Sequence, residues 1–511
     1  MFDRLLISQF LPRLFLFVGA LLAGSSEMAA ASLLTKEVSL GKVLPTAINE
    51  TLVLSPDQKH VAYVALRTGK WIAVIDGVQG KPYDRVVGLR FSPDSKRSAY
   101  AARKGDHFVA VLEGREGKEH DDIGEGSLTF SPDSKRFAYQ ARKGDKWVVI
   151  VDTVEGVPYE AIGKGSLLFN TNGTQFAYIA KRGEKAVVVR NTVPGDEFDR
   201  IGKNSLSFSP DGKHLAYTAD IKGRWRAVID GRQQREYENF YEGPIVFSPD
   251  GQHTAYPAKR NNKWIIVLDG VEGKSYDGFG DRSLLFSPDS QRFLYLAKLG
   301  GKSLLVIDGA EGKSYDAIGK SLVFSPDSKH LAYVANSAQQ WTVVIDGKEG
   351  KFYDGIGDFG IQFSPDSRTV AYMGARGLRR VMVINGVESP LYDGIGDKGV
   401  SFSPDSRHYA YTAARDDKWC AVLDGKEGKK YDILGDSLVT FGPDGRHFAY
   451  MAGAEGKQFV VVDSSESKPY IEFLRGTRIV FDDSAHLHTL VRRDDEQFQS
   501  EHFRIELEIR P

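Results

Sequence analysis

The chain has 511 residues, with 67 Lys plus Arg against 68 Asp plus Glu, a near-neutral balance that leaves no electrostatic footprint for nucleic acid or an anionic membrane surface. Its one cysteine, Cys420, excludes an internal disulfide and a structural zinc site built on thiolates, and reads as a small buried side chain. At 41% hydrophobic residues the composition supports a large core and is not that of a disordered chain.

Residues 1–31 read as an export signal. Arg4 and Arg13 mark a short basic leader, Leu14 to Ala23 is an apolar run, and Ala29-Ala30-Ala31 before Ser32 supplies the small-x-small pattern that a signal peptidase cuts. That run is half the ~20 residues of helix needed to span a bilayer. An uncleaved anchor starting at Leu5 would bury Pro12 and Arg13. Leu22-Ala23-Gly24 opens like a lipoprotein box, but Ser25 stands where the lipid-bearing cysteine is required. The expectation is a periplasmic or secreted protein with no stable membrane span after signal cleavage.

From Ser32 onward the chain is dominated by a repeat. Phe-Ser-Pro-Asp recurs from Phe91, Phe130, Phe208, Phe247, Phe286, Phe324, Phe363 and Phe402, with variants at Leu54, Phe169, Phe441 and Phe481, at a period of 39 residues with slips of one or two. An Ala-Tyr column follows, from Tyr63 to Tyr450. All six tryptophans, Trp71, Trp147, Trp225, Trp264, Trp341 and Trp419, form a third column, each five residues before an acidic turn residue. A fourth column runs from Tyr83 to Tyr470, so that 20 of the 22 tyrosines are periodic. Residues accounted for by a repeat need no separate functional explanation.

Each unit predicts four short strands. In one unit these are Ser321 to Phe324, Leu331 to Ala335, Trp341 to Ile345 and Lys351 to Asp354, with turns at Pro326-Asp327-Ser328 and Asp346-Gly347 and a crossing at Gly355-Ile356-Gly357. Strands two and three lack polar alternation, as expected where both sheet faces are covered. Four strands in about 40 residues, repeated radially, predict an all-β fold, a β-propeller of about twelve four-stranded blades. The Phe-Ser-Pro-Asp-Ser/Gly-Lys/Arg and Ala-Tyr pattern resembles the WD40-like repeats of the PD40 type and is similar to the propeller domain of the TolB family. That resemblance implies the fold; the family's usual companion domain has no room here.

At the end of the array Arg478 to Phe481, Leu487 to Arg492 and His502 to Ile509 are three strands without a fourth, and Glu37 to Val43 sits where a fourth would come from. An N-terminal strand completing the last blade would close the ring. Twelve units exceed the usual four to eight blades, so the expectation is two six-bladed propellers in tandem, residues 32–278 and 279–511, with the boundary near Asp269 to Ser283. A single large ring fits the strand count as well.

The sequence carries no catalytic set. There is no Gly-x-Ser-x-Gly elbow, and too few residues follow the last blade for a hydrolase domain. His60, His214, His253, His330, His408 and His447 share one turn position with Arg97, Arg136 and Arg292, an interchange incompatible with metal ligation. The acids before Gly in the third hairpin, and those after the fourth-column aromatic, do not match a calcium loop and read as turn formers. No metal and no cofactor is expected, and the tryptophans read as packing between blades.

Departures from the repeat are the candidates for binding: His120 in the fourth column, Asn170 in place of the turn serine, Asn191 in the third hairpin, and Arg379 with Arg380 at the Trp position of another unit. The functional expectation is an exported, non-enzymatic propeller that binds or scaffolds an envelope protein or polysaccharide. The alternatives are a propeller-type lyase or hydrolase acting on an envelope glycan, and a TolB-like component of an envelope complex.

Overall fold

The computed structural model describes residues 32–435, 438–494 and 499–510; the segment read as an export signal, 1–31, lies outside the described residues. Among the described residues the chain forms twelve antiparallel sheets and no helix, so none is long and apolar enough to cross a membrane. Blades one to eleven cover 47–79, 85–120, 122–155, 161–198, 200–237, 239–276, 278–315, 317–353, 355–388, 394–427 and 433–466. The twelfth covers 472–510 and takes its last strand from Ser32–Lys42. Strands within a blade are called A to D in chain order.

Blade eight shows how the repeat makes a sheet. Its strands are Ala317–Phe324, Leu331–Ser337, Gln340–Ile345 and Lys348–Tyr353. In the A–B turn Ser325 Oγ donates to Asp327 Oδ1 (2.6 Å), and that carboxylate accepts the Lys329 amide (3.1 Å). The Asp327 amide donates to Ser367 Oγ of blade nine (3.0 Å), so the turn also ties neighbours together. At the C–D turn Asp346 and Gly347 have φ of 49° and 79°, the paired positive angles of a tight hairpin. In strand D, Gly350 passes so close to strand C that a Cβ would lie 3.1 Å from the Val343 carbonyl oxygen, which accounts for the Glu-Gly-Lys pattern there.

Strand boundaries differ from expectation most at strands A and D: strand A begins at Ala317 rather than Ser321. Strand D begins at Lys348 rather than Lys351. Gly355-Ile356 is not a crossing but the first piece of the next strand A, paired with Ala375 and Gly374. The chain then turns out through Gly357 to Gly360 and returns to pair at Gln362-Phe363. Strand A is therefore split in most blades, and the tip of its loop is free to carry side chains unrelated to the ladder.

The core lies between blades. Strands B and C are buried along most of their length, as the absence of polar alternation predicts. At the junction of blades eight and nine, Val334, Val343, Tyr353, Ile361, Tyr372, Val381 and Val383 form one cluster. Tyr353 and Tyr372, from the fourth and second columns, meet edge to face at 6.2 Å, and the Tyr353 hydroxyl donates to Glu388 Oε1 of the next blade (2.8 Å). Tyr237 with Glu272, Tyr276 with Glu311 and Tyr431 with Glu466 repeat this arrangement. Lysines beside these tyrosines reach the same carboxylates, as Lys429 does Glu466 (2.6 Å), and form an outer belt. Tyr353→Ala is expected to cost about 3–5 kcal/mol, the range for emptying a buried aromatic site. Tyr353→Phe removes one hydrogen bond and is expected to cost about 1–2 kcal/mol. Urea unfolding of both variants checks the difference.

The packing runs unbroken through the segment where the sequence reading set a boundary. Ala255, Ile266 and Tyr276 of blade six share a cluster with Phe286, Phe293, Tyr295 and Leu304 of blade seven, as at the other junctions. The circuit closes between blades twelve and one. Ser32–Lys42 pairs antiparallel with Ser500–Arg510 at nine positions, and Leu40 packs with Val61, Leu474 and Leu490. Across the same seam Arg478 donates to the Pro56 carbonyl (2.8 Å), His488 Nε2 donates to the Asp57 carbonyl (2.8 Å) and Lys59 pairs with Asp482 (2.8 Å). The N-terminal strand thus completes the last blade, and the packing is that of a single closed circuit of twelve blades rather than of two six-bladed rings.

Candidate functional site

Most chemistry-bearing columns end in local pairs. His330 Nδ1 lies 2.8 Å from Asp346 Oδ2 of the same blade, while Asp346 Oδ1 accepts the Leu331 amide (2.9 Å). His60, His214, His253, His408 and His447 pair in the same way. The acids after the fourth column bridge blades: Asp316 takes Lys302 of its own blade and the Ala338 amide of the next. Those two contacts hold its carboxyl below the usual carboxylate range. Among the described residues no three His, Cys, Asp or Glu side chains converge as a metal site.

The five sequence candidates lie apart on blades two, four and nine. His120 is buried edge to face on Tyr139 (6.0 Å) in the place of the fourth-column tyrosine, and burial lowers its pKa. Asn170 is buried, donating to the Gly212 carbonyl (2.8 Å) and accepting the Gln175 amide (2.9 Å), so it does the work of the turn serine. Asn191, at φ 56°, accepts the Phe176 amide (3.1 Å) as the hairpin aspartates do. Arg379 pairs with Asp393 (3.3 Å), and Arg380 donates to the Gly377 and Arg379 carbonyls. The five share no common site: besides the adjacent arginines, only Asn170 and Asn191 share a neighbourhood, through the consecutive Gln175 and Phe176 amides that they accept.

The inner rim offers more. A strands of successive blades touch directly: Val400 N donates to Gln362 Oε1 (2.7 Å) and Ile361 N to Ser321 Oγ (2.8 Å). D strands meet only through long side chains, as Lys313 and Glu349 do. The A strands therefore line the channel, and their loop tips carry charge. A crevice opens beside each such loop, between one blade and strand A of the next. The tryptophan column fills it: Trp264 meets Phe279 of the next blade edge to face at 5.1 Å, and Trp341 packs against the cluster of blades eight and nine.

Register pairing with strand B assigns the same position in every blade, and the residues standing in for tryptophan are Phe108, Ala186, Ser303, Arg380, Gln458 and His502. Where Trp419 is present the crevice between blades ten and eleven is about 450 Å³. Between blades seven and eight, where Ser303 replaces it, the crevice is about 730 Å³, whereas beside Gln458, between blades eleven and twelve, it is about 350 Å³, so it is the small serine and not the loss of tryptophan alone that leaves the space. Its wall is apolar through Leu285, Leu296, Ile318 and Leu322, and its rim carries Arg282, Lys298 and Lys320. Its two acids are occupied: Asp281 accepts the Tyr241 hydroxyl, and Asp316 pairs with Lys302. Sequence reasoning passed over this site because it searched for polar residues gained. The available signal was an aromatic residue lost at Ser303.

The chain matches no protein-family profile and no curated protein. It is similar in part to solved propellers at low identity. TolB from Acinetobacter baumannii is 16% identical over 50% of this chain and 79% of its own, with a TM-score of 0.23. The β-propeller domain of the Trilobed protease from Pyrococcus furiosus is 18% identical over 53% and 96%, with a TM-score of 0.25. The GH74 enzyme of Niastella koreensis is 11% identical over 89% and 84%, with a TM-score of 0.25.

Proposed function

We propose that this protein is an exported, non-enzymatic β-propeller of the cell envelope that holds a protein or polysaccharide against its rim. The observation that supports this reading most directly is the fate of the reactive side chains. Histidines and acids that could serve chemistry are tied one by one into turns and blade junctions, such as His330 with Asp346. A catalytic constellation requires such groups to converge within hydrogen-bond reach of one reacting atom. What varies between blades is instead the loop tips of strand A and the crevices beside them. A rigid ring with variable loops is a binding surface.

The test is affinity capture with purified residues 32–511 from solubilised envelope extract, followed by identification of proteins and glycans in one eluate. The expected result is a discrete protein or intact glycan that survives a salt wash. A glycan shortened during incubation overturns the reading in favour of a lyase or hydrolase.

A further inference from the structure

Three independent features single out the crevice between blades seven and eight. The first is its missing ring. Ser303 is 8% exposed, its hydroxyl makes no hydrogen bond among the described residues, and it lines the space that an indole occupies in six other blades. The second is an orphaned cation. In blade six, Lys259 sits 5.9 Å over the ring of Trp264. Lys298 holds the same strand position in blade seven and has no ring to cover and no ion pair among the described residues.

The third is backbone strain. Arg282 has φ of 53°, in the left-handed region that disfavours a branched or long side chain. Gly126, Gly165 and Gly476 stand at this loop position in blades three, four and twelve, and Asn204 in blade five. An arginine held there costs stability that glycine would not, and such strain concentrates at binding sites. Arg282 and Lys320 pair with no carboxylate among the described residues. Blade four also has a small residue, Ala186, but there the loop carries Gly165, and Lys164 is tied to Glu125 (2.9 Å).

We propose that this crevice binds an aromatic ring bearing a carboxylate, the ring taking the place of the absent indole beneath Lys298 and the carboxylate meeting Arg282 and Lys320. The apolar wall excludes water from the ring faces, the ammonium of Lys298 lies over it as Lys259 does over Trp264, and the guanidinium offers a paired donor edge to the carboxylate. Such a group comes either from a free aromatic acid or from the C-terminal aromatic residue of another chain. This site is independent of the scaffold reading, since a propeller of either function can hold it.

Calorimetric titration of residues 32–511 with indole-3-acetate, with indole and with acetate separates the parts of the recognition. Saturable binding of indole-3-acetate is expected, about tenfold or more weaker for indole and undetectable for acetate at the same concentration. Ser303→Trp installs the residue of six other blades, and is expected to abolish binding while raising the thermal midpoint. Arg282→Gly installs the residue of its sister loops, and is expected to weaken indole-3-acetate about tenfold with indole unchanged and the midpoint unchanged or raised, as relief of the positive φ predicts. A short peptide ending in tryptophan with a free carboxylate, compared with its C-terminal amide, distinguishes the two sources: tighter binding of the free peptide than of indole-3-acetate assigns a chain terminus, and weaker binding a small acid. No binding of indole-3-acetate, or undiminished binding by folded Ser303→Trp, overturns the proposal.

Discussion

Deleting residues 32–42 is expected to open the ring and to convert a monodisperse protein into an aggregating one. The strand pairs with Ser500–Arg510 at nine positions, places Leu40 among Val61, Leu474 and Leu490, and brings Glu37 to Lys468 (2.7 Å) and Arg493 (2.9 Å). Each ladder hydrogen bond contributes about 1 kcal/mol net, and burial of Leu40 about 2 kcal/mol more, so several kcal/mol are lost at once. The deletion also leaves an eleven-residue strand with an unpaired edge, which templates association with other chains. Gly41 and Gly77 approach so closely at this seam that a side chain at Gly41 would meet the Gly77 backbone. Size-exclusion chromatography and thermal unfolding check the expectation. A deleted chain that stays monomeric with an unchanged midpoint would show that the strand is dispensable for closure.

Acid is expected to loosen the same seam through His502. This residue occupies the tryptophan position of blade twelve, is buried edge to face on Tyr63 of blade one at 5.9 Å, and its Nδ1 has no hydrogen-bond partner among the described residues. Burial, with Arg492 nearby, lowers its pKa to about 4 from the usual 6.5. Because the unfolded chain takes up the proton more readily than the folded one, the His502 contribution is fully present above pH 6.5. It is lost progressively as pH falls from 6.5 through 4, and does not change further below that. The whole effect is on the order of 3 kcal/mol. Carboxylates held low, such as Asp211 at about 2 through Ser209 and the Lys213 amide, act in the same direction at lower pH. His502→Phe, which carries the aromatic found at Phe108 in the same column, should flatten the stability profile between pH 6.5 and 4. Denaturant midpoints of both proteins across that range decide it; parallel profiles would place the titrating group elsewhere.

Blade number, strand order and the two tyrosine columns were legible in the sequence because each unit obeys the same local rules: Pro and Asp at the A–B turn, Asp-Gly at the C–D turn, and β-branched runs between them. The N-terminal closing strand was legible too, since the last unit was one strand short. The candidates His120, Asn170, Asn191, Arg379 and Arg380 depart from the repeat in residue type, yet two of them keep the local role of the residue they replace. Asn170 and Asn191 make the hydrogen bonds of the serine and aspartate they replace. The split of strand A escaped notice because two-residue pairings leave no periodicity to read. Whether twelve blades form one ring or two depends on which sheet faces meet, and blades six and seven have the same pattern as every other pair. Only packing, with His502 against Tyr63 at the seam and Tyr276 against Tyr295 at the supposed boundary, decides it. The crevice beside Ser303 belongs to the same class. One serine in a strand says little by itself; the tertiary structure turns it into a cavity by placing it opposite Ile318, where the repeat elsewhere supplies a ring. Sequence sets which turns and strands form, since those rest on neighbours along the chain, while cavities, seams and unpaired charges arise from residues far apart along it.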